Sequence, residues 1–165
     1  MRRSTTKKIL TTHTGSLPRP AAVVEQLLAG KRSGPALDAA VDSAVADVLA
    51  KQKAVGIDIV NDGEQGRTDY TVHVIDRLTG FEGQSDAPRG TGEPKFPELA
   101  QLLSQFASPF QHRPACSGPV SWKDFAAAEA DIERAKTAMT KAGVEEYFMT
   151  SPSPGQIARY LKNSY

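Results

Sequence analysis

Apolar residues follow two different spacings along this chain, one typical of strands and one typical of helices. Short runs rich in β-branched and aromatic residues predict strands at 9–14, 57–60, 113–118 and 144–150. Apolar positions three and four residues apart, with glycine and proline at their ends, predict helices at 20–30, 37–55, 70–78, 99–106, 121–143 and 156–162. The strand at 113–118 is the weakest of the four, because Pro114 interrupts it.

The order of these elements predicts an α/β fold with a parallel sheet, because strands alternate with helices and no hairpin turn joins two strands. A doubly wound nucleotide-binding sheet would carry a glycine-rich phosphate loop after its first strand. This chain instead has the residues GSLPRP there, and each proline removes a backbone N–H donor. A TIM-type barrel fits better, since its chemistry lies in the turns after the strands, and all four such turns are polar.

The length of the chain limits this barrel to a part of one. A complete (β/α)₈ barrel takes about 250 residues, whereas this sequence has 165 residues and four strand–helix units. We therefore predict the first four βα units of a parallel barrel over 9–165, preceded by a flexible basic arm at 1–8. A long loop is predicted at about 80–98, which holds four glycines and three prolines.

Composition removes several classes of function. The 20 basic and 19 acidic residues give a net charge of +1, which argues against a strongly basic nucleic-acid binder. One cysteine and three histidines exclude a disulfide scaffold or a zinc finger built from this chain alone. No apolar run reaches the roughly 18 residues that cross a bilayer, and the N-terminal MRRSTTKK is not followed by the apolar stretch of a signal peptide. A cytoplasmic protein without a membrane or nucleic-acid partner is the expectation.

The four turns after the predicted strands carry a resemblance to a known family. They are the first turn (12–20, THTGSLPRP), the second turn (62–67, DGEQGR), the third turn (117–120, SGPV) and the fourth turn (148–155, FMTSPSPG). In this order they resemble the turns of the catalytic barrel of cobalamin-independent methionine synthases and their short relatives. The resemblance covers the N-terminal half of that barrel.

The resemblance implies a zinc-dependent methyltransferase. Such an enzyme moves a methyl group from 5-methyltetrahydrofolate, or a similar donor, to the thiol of homocysteine and so makes methionine. Zinc favours the nucleophilic thiolate, and the family's zinc ligands come from later strands of the barrel. The resemblance therefore implies zinc as cofactor with no metal ligand and no catalytic residue in this chain, which would supply substrate contacts and be inactive alone.

The resemblance also assigns substrate contacts to the first and second turns. It implies that the backbone N–H groups and hydroxyl of Gly15 and Ser16 face the substrate carboxylate, and that Glu64 faces its ammonium group. His13 would steer a substrate anion or donate to it. Each residue also has a purely structural interpretation, since Ser16 suits a turn or a helix cap and His13 suits the rim of a strand.

Three charged residues are expected to support these contacts. Asp62 is the residue type that hydrogen-bonds its own backbone in a turn. A buried Glu64 carboxylate needs a cationic partner when no substrate is bound, and Arg67 or Arg19 can serve.

Half a barrel leaves sheet edges unpaired, so a second chain or a second copy that completes the barrel is an expected partner. Two other functions stay open. One is a catalytically inactive remnant or binding module whose turns hold a small ligand. The other is a fragment of a uroporphyrinogen-decarboxylase-like barrel, which shares the architecture, although the first and second turns favour the methyltransferase.

Overall fold

The computed structural model describes residues 9–70, 72–82, 96–105, 114–160 and 162–165. The predicted arm at 1–8 and positions 83–95 of the predicted loop lie outside the described residues. The chain divides into two compact units, unit 1 (Met1–Tyr70 and Phe125–Ser151) and unit 2 (Thr71–Asp124 and Pro152–Tyr165).

Helices and strands follow one another in the order α1 (Ala21–Leu28), α2 (Pro35–Ala54), a 3₁₀ helix (Val72–Asp76), β1 (Phe81–Glu82), α3 (Pro97–Gln105), β2 (Ala115–Cys116), α4 (Ala126–Ala142) and α5 (Pro154–Tyr160). The predicted helix at 70–78 is thus a short 3₁₀ turn, while the other predicted helices are present with shifted ends. No helix in the described ranges is both long and apolar enough to cross a membrane.

The core of unit 1 forms on helix α2. Pro35 lies in its first turn, where the missing N–H costs nothing, and Lys51 and Lys53 lie in its last turn, where they suit the helix dipole. One face of α2 is buried, with side chains Leu37, Val41, Ala44, Val45, Val48 and Leu49. This face packs against α1 and α4, which bury small and branched residues toward it.

Three extended segments of unit 1 form a parallel array, defined by Thr12, Ile59, Val60 and Tyr147. Thr12 pairs with Ile59 and Val60 pairs with Tyr147, both in parallel. The predicted first, second and fourth strands are therefore neighbours in that order. Helices α1 and α2 lie between the first two, and α4 leads into the last, as the long connections of parallel pairing require.

The predicted third strand has a different pairing from the one expected. Residues 115–116 instead form β2 in unit 2, which pairs antiparallel with β1, Phe81 lying opposite Cys116. The prediction of four successive parallel strands is therefore wrong at its third member. Two paired residues carry almost no periodic signal, so the sequence pattern does not reveal that 80–82 supplies the partner.

The N-terminal end of α4 also differs from the prediction. Residues around Trp122 run antiparallel to those around Leu78, and the carbonyl oxygen of Ser121 accepts a hydrogen bond from the N–H of Thr79 at 2.9 Å. Ser121 therefore belongs to this pairing, and α4 begins at Ala126. Its other end is as predicted, since Gly143 follows the helix in the left-handed conformation.

Candidate functional site

The first and second turns lie side by side because the segments that precede them are parallel neighbours. The N–H of Leu17 donates to the carbonyl oxygen of Gly63 at 3.0 Å. The side-chain amide of Asn61 donates to the carbonyl oxygen of His13. One backbone bond and one side-chain bond thus connect two segments that are almost fifty residues apart in sequence.

Two consecutive residues of the second turn have left-handed backbone conformations, which set the direction of its side chains. Gly63 has φ +58° and Glu64 has φ +57°. The side chain of Asp62 holds this conformation, since its Oδ1 accepts the N–H of Glu64 at 3.0 Å. A left-handed non-glycine residue costs roughly 1 kcal/mol, so the surrounding hydrogen bonds must maintain Glu64 in this position.

The Glu64 carboxylate is the centre of the candidate site. The residue is only 3% exposed. Its Oε2 accepts the hydroxyl hydrogen of Ser16 at 2.6 Å, and its Oε1 accepts that of Thr150 at 3.2 Å. A buried carboxylate is thus held by two neutral hydroxyl groups, one from the first turn and one from the fourth.

The two supporting arginines make contacts other than the expected ones. Arg67 donates to Asp62 at 3.0 Å in a buried ion pair, instead of to the Glu64 carboxylate. Arg19 donates to the carbonyl oxygens of Glu64 and Arg67, at 2.9 and 2.7 Å. Burial lowers the pKa of Arg19, against the opposing effect of the nearby Glu64 charge. Arg19 therefore secures the backbone of the second turn, and its charge reaches Glu64 only through space.

His13 and Gly15 lie in the first turn and contact each other. The Nε2 atom of the half-buried His13 is 2.9 Å from the carbonyl oxygen of Gly15. Gly15 has φ +104°, a backbone conformation that side chains rarely adopt. The imidazole is therefore bound to its own turn, and the Ser16 hydroxyl reaches Glu64 from the residue that follows.

Buried amides that the sequence analysis did not single out connect the site to α2. Gln52 of α2 donates to the carbonyl oxygen of Asn61 at 2.7 Å and accepts from its N–H at 3.2 Å. Gln65, which is 0% exposed, donates to the carbonyl oxygen of Leu17 at 3.1 Å. Gln52 continues the spacing of the buried face of α2, and a polar residue at such a position is the signal that could have revealed it.

The sequence analysis also missed Thr150. No local pattern distinguishes this threonine from its neighbours in the fourth turn, and only the parallel pairing of Val60 with Tyr147 brings it to Glu64. Among the described residues, no three histidine, cysteine, aspartate or glutamate side chains form a group that could hold a metal ion.

Comparisons with known proteins relate the chain to methionine synthases. No protein-family model matches it. It is 39% identical to methionine synthase from Sulfurisphaera tokodaii over 75 residues, which are 44% of this chain and 22% of that protein. It also matches the structure of a B12-independent methionine synthase from Shewanella sp. W3-18-1 in complex with selenomethionine, with a TM-score of 0.60, 23% identity and coverage of 94% of this chain and 41% of that one.

The chain thus spans less than half the length of either protein. The structural match shows that this chain shares a fold with part of the Shewanella protein. The protein found by sequence similarity is also a methionine synthase. The resemblance predicted from the turns is confirmed as a partial one.

Proposed function

Because the chain resembles part of a cobalamin-independent methionine synthase, we propose that its first and second turns bind the amino-acid end of homocysteine. The observation that carries this proposal is the 2.6 Å hydrogen bond between Ser16 and Glu64, which brings the two implicated turns together at one buried carboxylate. The selenomethionine in the Shewanella structure supports it, since that ligand has the same ammonium and carboxylate groups as homocysteine.

Glu64 is the residue proposed to receive the ammonium group. In the described part of the chain its carboxylate accepts hydrogen bonds only from hydroxyl groups, and Arg67 is already paired with Asp62. A buried carboxylate with neutral partners gains strongly from a cation that also donates hydrogen bonds. A ligand ammonium group supplies both.

Ser16 is proposed to receive the carboxylate by exchanging its acceptor. Its single hydroxyl hydrogen points to Oε2 of Glu64. An ammonium group that donates to that oxygen competes with the hydroxyl, which can then donate to the ligand carboxylate instead. The backbone N–H groups of Gly15 and Ser16 add donors, and His13 contributes a half-buried imidazole beside the same turn.

The resemblance implies zinc and a folate-type methyl donor for the complete reaction. The described residues offer no group of three metal ligands, so we assign no zinc-dependent step to them. In this proposal the chain binds and orients the amino acid, and a second chain or a second copy supplies the rest of a barrel. The isolated chain then binds homocysteine without methylating it.

Calorimetric titration of the full chain with L-homocysteine tests the role of Glu64. Glu64→Gln keeps the shape of the side chain but removes its charge, so the affinity should fall about tenfold to a hundredfold, as expected for a lost charge-assisted hydrogen bond. Glu25→Gln is the matched control, because Glu25 lies exposed on α1. Equal affinities of the unmodified chain and Glu64→Gln would contradict the proposal.

A further inference from the structure

The fourth turn makes a contact with Glu64 that the proposed binding of homocysteine does not use. The hydroxyl of Thr150 is 3.2 Å from Oε1 of Glu64. The same hydroxyl oxygen accepts a hydrogen bond from Nη1 of Arg67 at 2.8 Å, and the carbonyl oxygen of Thr150 accepts from that nitrogen at 2.6 Å. Thr150 thus lies between the buried guanidinium and the buried carboxylate.

The chemistry of these groups determines the direction of the Thr150 hydrogen. A guanidinium can only donate, so the Thr150 oxygen acts as the acceptor toward Arg67. The one hydroxyl hydrogen is then left for the ionised carboxylate, which can only accept. Since Arg67 is in turn held by Asp62 at 3.0 Å, the orientation of the Thr150 hydroxyl is set by a buried ion pair.

Ser16 and Thr150 therefore hold the two oxygens of Glu64 in different ways. Ser16 is exposed and makes a single hydrogen bond through its hydroxyl, to Oε2 of Glu64. Thr150 is half-buried and bound on both sides. A ligand that approaches Glu64 displaces the Ser16 hydrogen bond more easily than that of Thr150.

We propose that Thr150 is a positioning residue of the amino-acid site. Oriented by Arg67, it keeps Oε1 of Glu64 bound to the fourth turn, so that Oε2 stays directed at the ligand ammonium group. This inference rests on the proposed role of Glu64. It assigns to the fourth turn a part in selecting ligands that carry an α-ammonium group.

The test compares two ligands that differ only in that group, L-methionine and 4-(methylthio)butanoate. The unmodified chain should prefer L-methionine. Thr150→Val, which replaces the hydroxyl by a methyl group of similar size, should reduce this preference about tenfold, whereas Thr150→Ser should retain it. A variant that merely loosened the fold would lower the affinity for both ligands equally and leave the ratio of the two affinities unchanged. Thr150→Ala, which removes the hydroxyl without placing a methyl group against Arg67, is measured in parallel.

The outcomes separate this inference from the proposed function. If Glu64→Gln loses the preference while Thr150→Val and Thr150→Ala keep it, the positioning role is overturned and the role of Glu64 stands. If Glu64→Gln keeps the preference of the unmodified chain, the proposed function fails.

If the proposed function fails in this way, the contact between Thr150 and Glu64 is still tested by urea unfolding of Thr150→Val, Glu64→Gln and the double variant. A double variant less destabilised than the sum of the single ones supports the coupling of Thr150 to Glu64. Strictly additive effects would overturn it.

Discussion

Two adjacent left-handed residues, Gly63 and Glu64, decide where the candidate site lies. They turn the chain so that the Glu64 side chain enters the interior beside the first turn, where Ser16 meets it. A Cβ atom on Gly63 would lie 3.0 Å from Cδ1 of Leu17. The backbone conformation and the close packing both favour glycine at this position.

At the scale of single residues, we expect Gly63→Ala to destabilise the chain by about 2 kcal/mol, since it adds a contact with Leu17 to the cost of a left-handed alanine. Gly56→Ala is the control, because Gly56 has φ +82° with nothing within 4 Å of its added Cβ. This variant pays the conformational cost alone, about 1 kcal/mol. Urea unfolding measures both, and a Gly63→Ala variant no less stable than Gly56→Ala would contradict the packing argument.

The pairing of the buried charges shows where prediction from single residues ends. A cationic partner for Glu64 was expected in Arg67 or Arg19, but Arg67 pairs with Asp62 and Arg19 binds carbonyl oxygens. The type of a residue limits which partners its side chain can bind. Which of them it does bind depends on the distances between side chains in the folded chain. Asp62 lies 3.0 Å from Arg67, whereas the Glu64 carboxylate is bound by the hydroxyl groups of Ser16 and Thr150.

At the scale of elements, helices α2 and α4 are joined by one arginine. Arg134 of α4 contacts Asp38 and Asp42 of α2 and Asp131 of its own helix. Burial works against its charge, but the hydrogen bond to Asp42 and the neighbouring carboxylates raise the pKa of Arg134. Several charges in one network contribute more than an isolated surface pair.

We expect Arg134→Ala to lower the free energy of unfolding by about 1 kcal/mol and to lose most of this effect in high salt. Lys136→Ala is the matched control, since Lys136 pairs with Glu133 on the same helix and both side chains are well exposed. Its effect should stay below about 0.5 kcal/mol. Equal effects of the two variants, measured by urea unfolding at low and high salt, would show that the network does not join the helices.

The elements also differ in how far the sequence could predict them. Helix α2 was predicted within two residues at its start and one at its end, because twenty residues repeat one apolar spacing. The third strand, expected at 113–118, forms only at Ala115–Cys116, and its antiparallel pairing with β1 was not predicted. Both strands are two residues long and pair through contacts distant in sequence. A long amphipathic helix can be predicted from its own apolar spacing. The pairing of two short strands cannot, because it depends on which segments the rest of the fold brings together.

At the scale of the whole molecule, the parallel array of unit 1 has two outer segments. Among the described residues, those around Thr12 and around Tyr147 each have one parallel neighbour. Outer segments present backbone groups to which another chain can add. Ile9, just before Thr12, is 94% exposed and adds apolar surface at this side.

We therefore expect the purified chain to associate with itself, with a mass by light scattering above the 17.7 kDa of one copy. Ile9→Lys should weaken this association by placing a charge beside the outer segment. Leu28→Lys, at an exposed site on α1, should leave it unchanged. A stable monomer that binds no apolar dye would contradict self-association.

The sequence by itself determined the long helices, the alternation of helices with extended segments, and the resemblance of the turns to those of a methionine synthase. These properties depend on local spacing and on short motifs, which a linear chain displays directly. Only the tertiary structure decided that Thr150 reaches Glu64, that Arg67 pairs with Asp62, and that β2 pairs antiparallel with β1. The first and the third depend on distances between residues far apart in sequence, and the second depends on the backbone conformation of the turn. A linear chain displays neither of these directly.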